Sequence, residues 1–522
     1  RQKTITQSET NDLLTRTEDI ADWGYRPVWH PRLADCVFDV EADLALTDKQ
    51  TWLFFIDKIG VGSSIAKNLR MAGHNVVEVH TGDDFIRESD SVYLLAPERG
   101  REGYDALIKD LVSRDIIPNH IVNFWLLTQD EQSRPGSSFF HQNQEQGFNS
   151  LVFLAQAISD ENLTAPLHIT AITSGAAQVK DEELPYPEKA MILGPIRGIP
   201  HEFPNVTCSA LDVDINARLK SSPTHSLWKR RQVQNKASAI KGLTKQILEE
   251  LLAPAQNTIA ALRGDKRFEL GFHALKLPEP QNDNVPVYQP NNAYLITGGF
   301  GGIGLTFAKD ILKHQATVIL LTRMALPDRT GWKQYLLSHS PNDKTAKRIL
   351  AVQQLEALGG QVEIAVGDVC NITDMSTIID AAQNKFGPIK GVIHAAGIID
   401  DGPLLTKNMA TMDTVLAPKI HGTQVLHKLF PDGALDWLVL FSSTSTVIAA
   451  AGQVDYMSAN EYLNAYAKSR KTDHTQVISI NWGIWKTVGM SADAIAERLG
   501  AYDKPPVNKI KWMSHQCHSY PG

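Results

Sequence analysis

One stretch of this chain constrains its fold more than any other. Tyr294-Leu-Ile-Thr297 is a short apolar strand, Gly298-Gly-Phe-Gly-Gly-Ile-Gly304 is a glycine-rich turn, and Leu305–Lys313 has helical periodicity. Strand, glycine turn and helix in that order form the phosphate-binding start of a dinucleotide fold. The glycines allow a tight turn and let backbone N–H groups approach a pyrophosphate at the positive end of the helix dipole. The expected contacts run through Thr297, Gly298, Phe300, Gly301, Gly302, Ile303 and Gly304.

The next strand, Thr317–Thr322, ends at Arg323, 19 residues beyond Gly304. An acidic residue there would accept from a ribose 2′-hydroxyl. A guanidinium instead suits a 2′-phosphate, so NADPH is expected over NADH; the alternative is a solvated surface arginine. Val362–Val366 runs into Gly367-Asp368-Val369, where Asp368 is placed to accept from an adenine amino group or to form a turn. Gly391-Val-Ile-His-Ala395-Ala396-Gly397 is a strand leading into small residues that would leave room for the cofactor at the strand ends.

A second group follows. The strand Leu438–Phe441 ends in Ser442-Ser443, Tyr456 lies 13 residues after Ser443, and Asn460 shares a helix face with Tyr456. Lys419 lies upstream in Ala417-Pro-Lys-Ile-His-Gly422. Ketone reduction needs a proton for the oxygen as hydride arrives. A tyrosine whose pKa is lowered by a nearby cation can donate it, a serine can polarise the carbonyl, and an asparagine can carry a water chain. Taken singly, each residue has a structural explanation as a cap, a core phenol, a surface charge or a helix amide. Their order behind the glycine turn points to catalysis.

Before this unit lies another alternation of strand-like and helix-like runs, from Thr51–Ile56 through Val206–Val213 to a helix at Thr244–Leu252. The break is Leu277–Asn292, rich in proline and asparagine. The expected fold class is α/β, with two tandem Rossmann-like parallel-sheet units. The expected divisions are a linker at 1–24, a first α/β unit at 25–285, a catalytic NADP-binding unit at 286–500 and a tail at 501–522. Gly60-Val-Gly62 in the first unit reads as a vestigial turn. Both chain ends read as cuts in something longer.

A net charge of -7 argues against nucleic-acid binding, where a basic face would be expected. No apolar run approaches a membrane span, and four scattered cysteines lack metal-ligand spacing. A cytoplasmic enzyme without a metal is expected.

On these motifs the chain resembles the ketoreductase regions of type I polyketide synthases, within the short-chain dehydrogenase superfamily. The usual Tyr-x-x-x-Lys helix here reads Tyr456-Met-Ser-Ala-Asn460, with the lysine supplied by Lys419; this swap is shared with polyketide and animal fatty acid synthase ketoreductases. His394-Ala-Ala-Gly397 and Asn481-Trp-Gly483 also match. Tyr25–His30 and Ala260–Arg267 resemble the opening and closing stretches of the family's structural subdomain, which implies that 25–285 is a truncated, non-catalytic Rossmann-like unit.

The resemblance implies a β-ketoacyl substrate on an acyl carrier protein and neighbouring domains of the same synthase as partners. It also implies a lid through Gly489-Met490 and a helix at Ala492–Leu499. Ile399-Asp400-Asp401 resembles the signature of members giving D-alcohols, and Ile448 stands where the opposite class has Trp. Asp401 and Met490 are therefore the expected substrate and stereocontrol residues, although Ala451 and Asp455 depart from the D-class pattern. The alternatives are a fatty acid synthase fragment, a stand-alone carbonyl reductase and a non-catalytic scaffold.

Overall fold

The computed structural model describes residues 19–33, 44, 48–129, 138–215, 229–278, 287–471 and 473–485. Met490, the expected lid and the tail lie outside the described residues.

The second unit is a six-stranded, all-parallel sheet. Its strands are β11 (Ala293–Thr297), β12 (Thr317–Thr322), β13 (Gln361–Val366), β14 (Ile389–His394), β15 (Trp437–Ser443) and β16 (Gln476–Trp482), in spatial order β13-β12-β11-β14-β15-β16. This is the doubly wound arrangement, whose strand order reverses between β11 and β14 and opens a crevice at their carboxyl ends. β11 and β12 are buried along their whole lengths, as expected of strands covered by helices on both faces. The longer helices of this unit are α6 (Gly302–Lys313), α7 (Lys344–Glu356), α8 (Ile372–Phe386), α9 (Met409–Leu429) and α10 (Val454–Ser469).

The first unit repeats the pattern. β2 (Thr51–Phe55), β3 (Asn75–Thr81), β5 (Val92–Leu95), β6 (His120–Leu126), β7 (Leu167–Thr173) and β8 (Val206–Val213) run parallel in the order β5-β3-β2-β6-β7-β8. Its longer helices are α1 (Val61–Met71), α2 (Glu102–Ser113), α3 (Ser150–Asp160), α4 (Leu193–Glu202) and α5 (Lys229–Leu252). The unit is reduced in one crossover: between β3 and β5 there is only the two-residue β4 (Ile86–Arg87), with no helix among the described residues. Beyond β8 the sheet gains β9 (Ile259–Arg263), β10 (Lys266–Leu275) and β1 (Gly24–Pro31). β10 is antiparallel to both β9 and β1; Tyr25–His30, on the edge strand β1, pairs with Glu269–Ala274, while Ala260–Arg267 forms β9 and the turn into β10.

The two units share a helical layer. Helix α4 of the first unit lies against α10 of the second, where a Cβ on Gly194 would come within 1.9 Å of Ser458 Oγ and 2.6 Å of Val454 O. Only glycine permits that approach. Helix α10, pressed between the first unit and its own sheet, is buried on nearly every side from Val454 to Leu463. Two of its buried polar residues are bonded: Asp455 pairs with Lys407 at 2.7 Å, with both side chains almost fully buried, and Ser458 Oγ donates to Val454 O. Asp455 thus holds an interior ion pair.

Candidate active site

The glycine turn leaves β11 and enters α6. Gly298 has φ +65°, and a Cβ there would lie 2.9 Å from Ala395 O and Ala396 N. The turn is therefore held directly against the small residues after β14. Thr297 Oγ1 hydrogen-bonds His394 Nδ1 at 2.7 Å and accepts from Ala396 N at 3.2 Å, fixing the ends of the two central strands together. The N-cap of α6 is Gly301, which offers no side chain to the first-turn amides.

The equivalent end of the first unit is different. There the carboxylate of Asp57 accepts from Ile59, Gly60 and Val61 through Oδ1 and from Gly62 at 2.6 Å through Oδ2, at the start of α1. One unit fills its anion-binding turn with its own carboxylate; the other leaves the turn to a ligand. The residues of the second turn fit a dinucleotide pyrophosphate on that ground.

Arg323 is exposed at the end of β12, and Asp368 lies beyond β13. Asp368 Oδ1 accepts from Cys370 N at 2.8 Å and so shapes its own turn. Val369 is buried against the position of Gly422. Arg348, on α7, stands over the ring of Phe300 with its guanidinium carbon 5.5 Å from the centroid. It adds a cation beside the turn that the sequence reading missed, because no motif marks a residue on a helix between the second and third strands.

Lys419, Ser443, Tyr456 and Asn460 converge at the carboxyl end of β15. Lys419 comes from α9, is 3% exposed, and donates to Phe441 O at 2.6 Å. Its Nζ lies 5.6 Å from the centre of the Tyr456 ring. Burial pushes the ammonium down to about 7. Burial likewise raises the Tyr456 phenol, while the Ser443 and Asn460 side chains pull it the other way. The expected lowering of the phenol is therefore reversed here. Desolvation disfavours a phenolate and outweighs those two hydrogen bonds. Asn460 Nδ2 donates to Tyr456 O at 2.7 Å, and its buried Oδ1 has no protein partner among the described residues.

Asp401 is exposed on the loop after β14 and accepts from Gln453 Nε2 at 3.0 Å. A separate cavity of about 530 Å³ on the far side of α10, between the β1–β10 edge and β16, contains none of these residues.

The doubly wound sheet, with the glycine turn leaving its central strand, is a Rossmann-like fold of the short-chain dehydrogenase/reductase kind. Residues 292–487 match the family model described as KR domain, and that segment is a ketoreductase region of the type I polyketide synthase kind. Residues 54–228 match a model described as beta-ketoacyl synthase-like, N-terminal.

Among similar proteins, 6-methylsalicylic acid synthase of Aspergillus terreus is 35% identical over 221 residues, which covers 42% of this chain and 12% of that protein. The 5-methyl-1-naphthoate synthase of Streptomyces sahachiroi is 34% identical over 204 residues, covering 39% of this chain and 11% of that protein. The match thus spans only 12% and 11% of the length of these two curated relatives. An N-terminal ketoreductase from the macrolactin assembly line superposes with a TM-score of 0.66 at 22% identity, covering 92% of this chain and 87% of that one. A solved adenylation–ketoreductase module of a keto acid-selecting nonribosomal peptide synthetase gives 0.73 at 22% identity, covering 92% and 37%. These likenesses extend the shared fold over both units. Among the described residues, no helix is long and apolar enough to cross a membrane.

Proposed function

We propose that this chain reduces a β-ketoacyl thioester, carried on the phosphopantetheine of an acyl carrier protein, to a 3-hydroxyacyl product of D configuration, using NADPH. The observation that carries this reading is the meeting of Lys419, Ser443, Tyr456 and Asn460 at the crevice beside a glycine turn that no described side chain fills.

The nicotinamide cofactor supplies hydride when bound. Its pyrophosphate would rest on the amides of Gly301–Gly304, its 2′-phosphate against Arg323, its adenine near Asp368 and Val369, and its remaining length along Ala395, Ala396 and Gly397. Ser443 holds the substrate carbonyl oxygen. Tyr456 gives that oxygen its proton, which suits a phenol that burial keeps protonated. Lys419, anchored to Phe441 O, stands beside the ring to favour the phenolate left behind. Asn460, whose Oδ1 is free of protein partners among the described residues, holds the water that returns the proton. The first unit, its own turn closed by Asp57, acts as scaffold. The neighbouring domains of a synthase are its partners and the cytoplasm its setting; no metal or nucleic acid takes part.

Two features support the D outcome: Ile399-Asp400-Asp401 after the fourth strand and Ile448 in place of tryptophan. The test is NADPH oxidation with acetoacetyl and α-ketoacyl pantetheine thioesters and a decalone, with chiral analysis of the alcohols. The β-ketoacyl thioester is expected to turn over and give mainly the D-alcohol. Tyr456→Phe should lower kcat by roughly 10²–10⁴-fold and leave NADPH affinity unchanged. A mainly L product rejects the stereochemical assignment, and unchanged turnover in Tyr456→Phe rejects the role given to the phenol.

A further inference from the structure

We propose that Glu202, a residue of the first unit, is a positioning residue for the reduction: its carboxylate clamps together the two loops that flank Tyr456 and so decides how the substrate carbonyl is presented. The inference rests on the functional reading above and adds a role for the unit that carries no cofactor.

Glu202 is the last residue of α4, the helix held against α10 through Gly194. Its Oε2 accepts from Leu404 N at 2.6 Å and its Oε1 from Gly452 N at 2.9 Å. Leu404 belongs to the loop after β14 that carries Asp401; Gly452 lies four residues before Tyr456. The two loops also touch one another, since Gly402 N donates to Gly452 O at 3.0 Å and Gln453 Nε2 donates to Asp401 Oδ1.

A second residue of the first unit reinforces the clamp. Gln156, on α3 and 1% exposed, donates to both Leu404 O and Lys407 O at 2.8 Å. Tyr456 itself is fixed by a buried helix. The walls of its entrance are loops, and the first unit is what ties them down. A carboxylate is suited to the task because it has two oxygens that only accept. Glutamine in its place turns an N–H₂ toward one of the two amides and frees that loop at unchanged volume.

The experiment compares wild type, Glu202→Gln and, as a charge control, Glu183→Gln at an exposed site of the same unit. All three are assayed with acetoacetyl pantetheine thioester and NADPH, with chiral analysis. For Glu202→Gln we expect NADPH affinity within twofold of wild type, KM for the ketone raised about tenfold, kcat changed less than threefold, and the ratio of major to minor alcohol lowered at least fivefold, with Glu183→Gln unchanged. A KM and product ratio within twofold of wild type overturn the proposal.

Amide hydrogen exchange on wild type decides the matter if the variant does not fold. Leu404 and Gly452 should exchange at least a hundredfold more slowly than free loop amides, and unprotected amides there overturn the clamp. Wild type that reduces no ketone refutes the functional reading, while the exchange result still reports on the clamp alone.

Discussion

Lys419→Met isolates a buried charge of the candidate active site. The lysine is 3% exposed, and burial moves its ammonium from an ordinary 10.5 to about 7. Between those values the unfolded chain holds a proton that the folded chain has released. Stability from this group therefore rises with pH across the window, and below about pH 7 the full cost of the buried cation is present. Each pH unit inside the window contributes about 1.4 kcal/mol. Two of the three units from about pH 6 to about pH 9 lie inside it, which makes a change of about 3 kcal/mol.

Methionine keeps the apolar stem and abolishes the titration. It also removes the hydrogen bond to Phe441 O, a loss of about 1 kcal/mol that does not depend strongly on pH and drops out of the comparison. Urea unfolding of both proteins, followed by tryptophan fluorescence at each pH, gives the double difference. Wild type should gain about 3 kcal/mol on the variant between pH 6 and 9. A difference that stays flat, or that favours the variant at high pH, would refute the reasoning that desolvation dominates at this site.

Other outcomes follow from single contacts. Arg323→Gln should weaken NADPH binding about tenfold and leave NADH binding nearly unchanged, by fluorescence titration of both cofactors; equal effects on the two would remove the 2′-phosphate from its role. Lys407→Met leaves Asp455 as an uncompensated interior charge, and a loss of about 3–5 kcal/mol is expected in chemical denaturation. Asp57→Asn replaces an oxygen facing the Gly62 amide with an N–H₂ donor; about 1–3 kcal/mol should be lost without any change in NADPH affinity. A fall in that affinity would place cofactor in the first unit.

Periodicity and turn chemistry made much of the fold legible. The strands Leu167–Thr173, Val206–Val213 and Thr317–Thr322 have the bounds expected from their apolar runs. The residues grouped by motif order, Lys419, Ser443, Tyr456 and Asn460, do lie together. The antiparallel β10 and β1 were not legible as neighbours, because edge pairing across more than 230 residues leaves no local signal. Nor was the direction of the Tyr456 shift, since a sequence shows that a lysine is near in motif order but not that both groups are desolvated.

What the amino-acid order alone determined was the local grammar: alternating strands and helices, a glycine turn at a helix start, and the chemical types able to donate a proton. These depend on residues within a few positions of each other. What only the tertiary structure decided was which groups are buried together and what already occupies each site. Asp57 closing one turn, Lys419 donating a hydrogen bond to a strand carbonyl, and Glu202 reaching across to two loops of the other unit all arise from packing, because hydrogen bonding and desolvation act through space and have no counterpart in chain spacing.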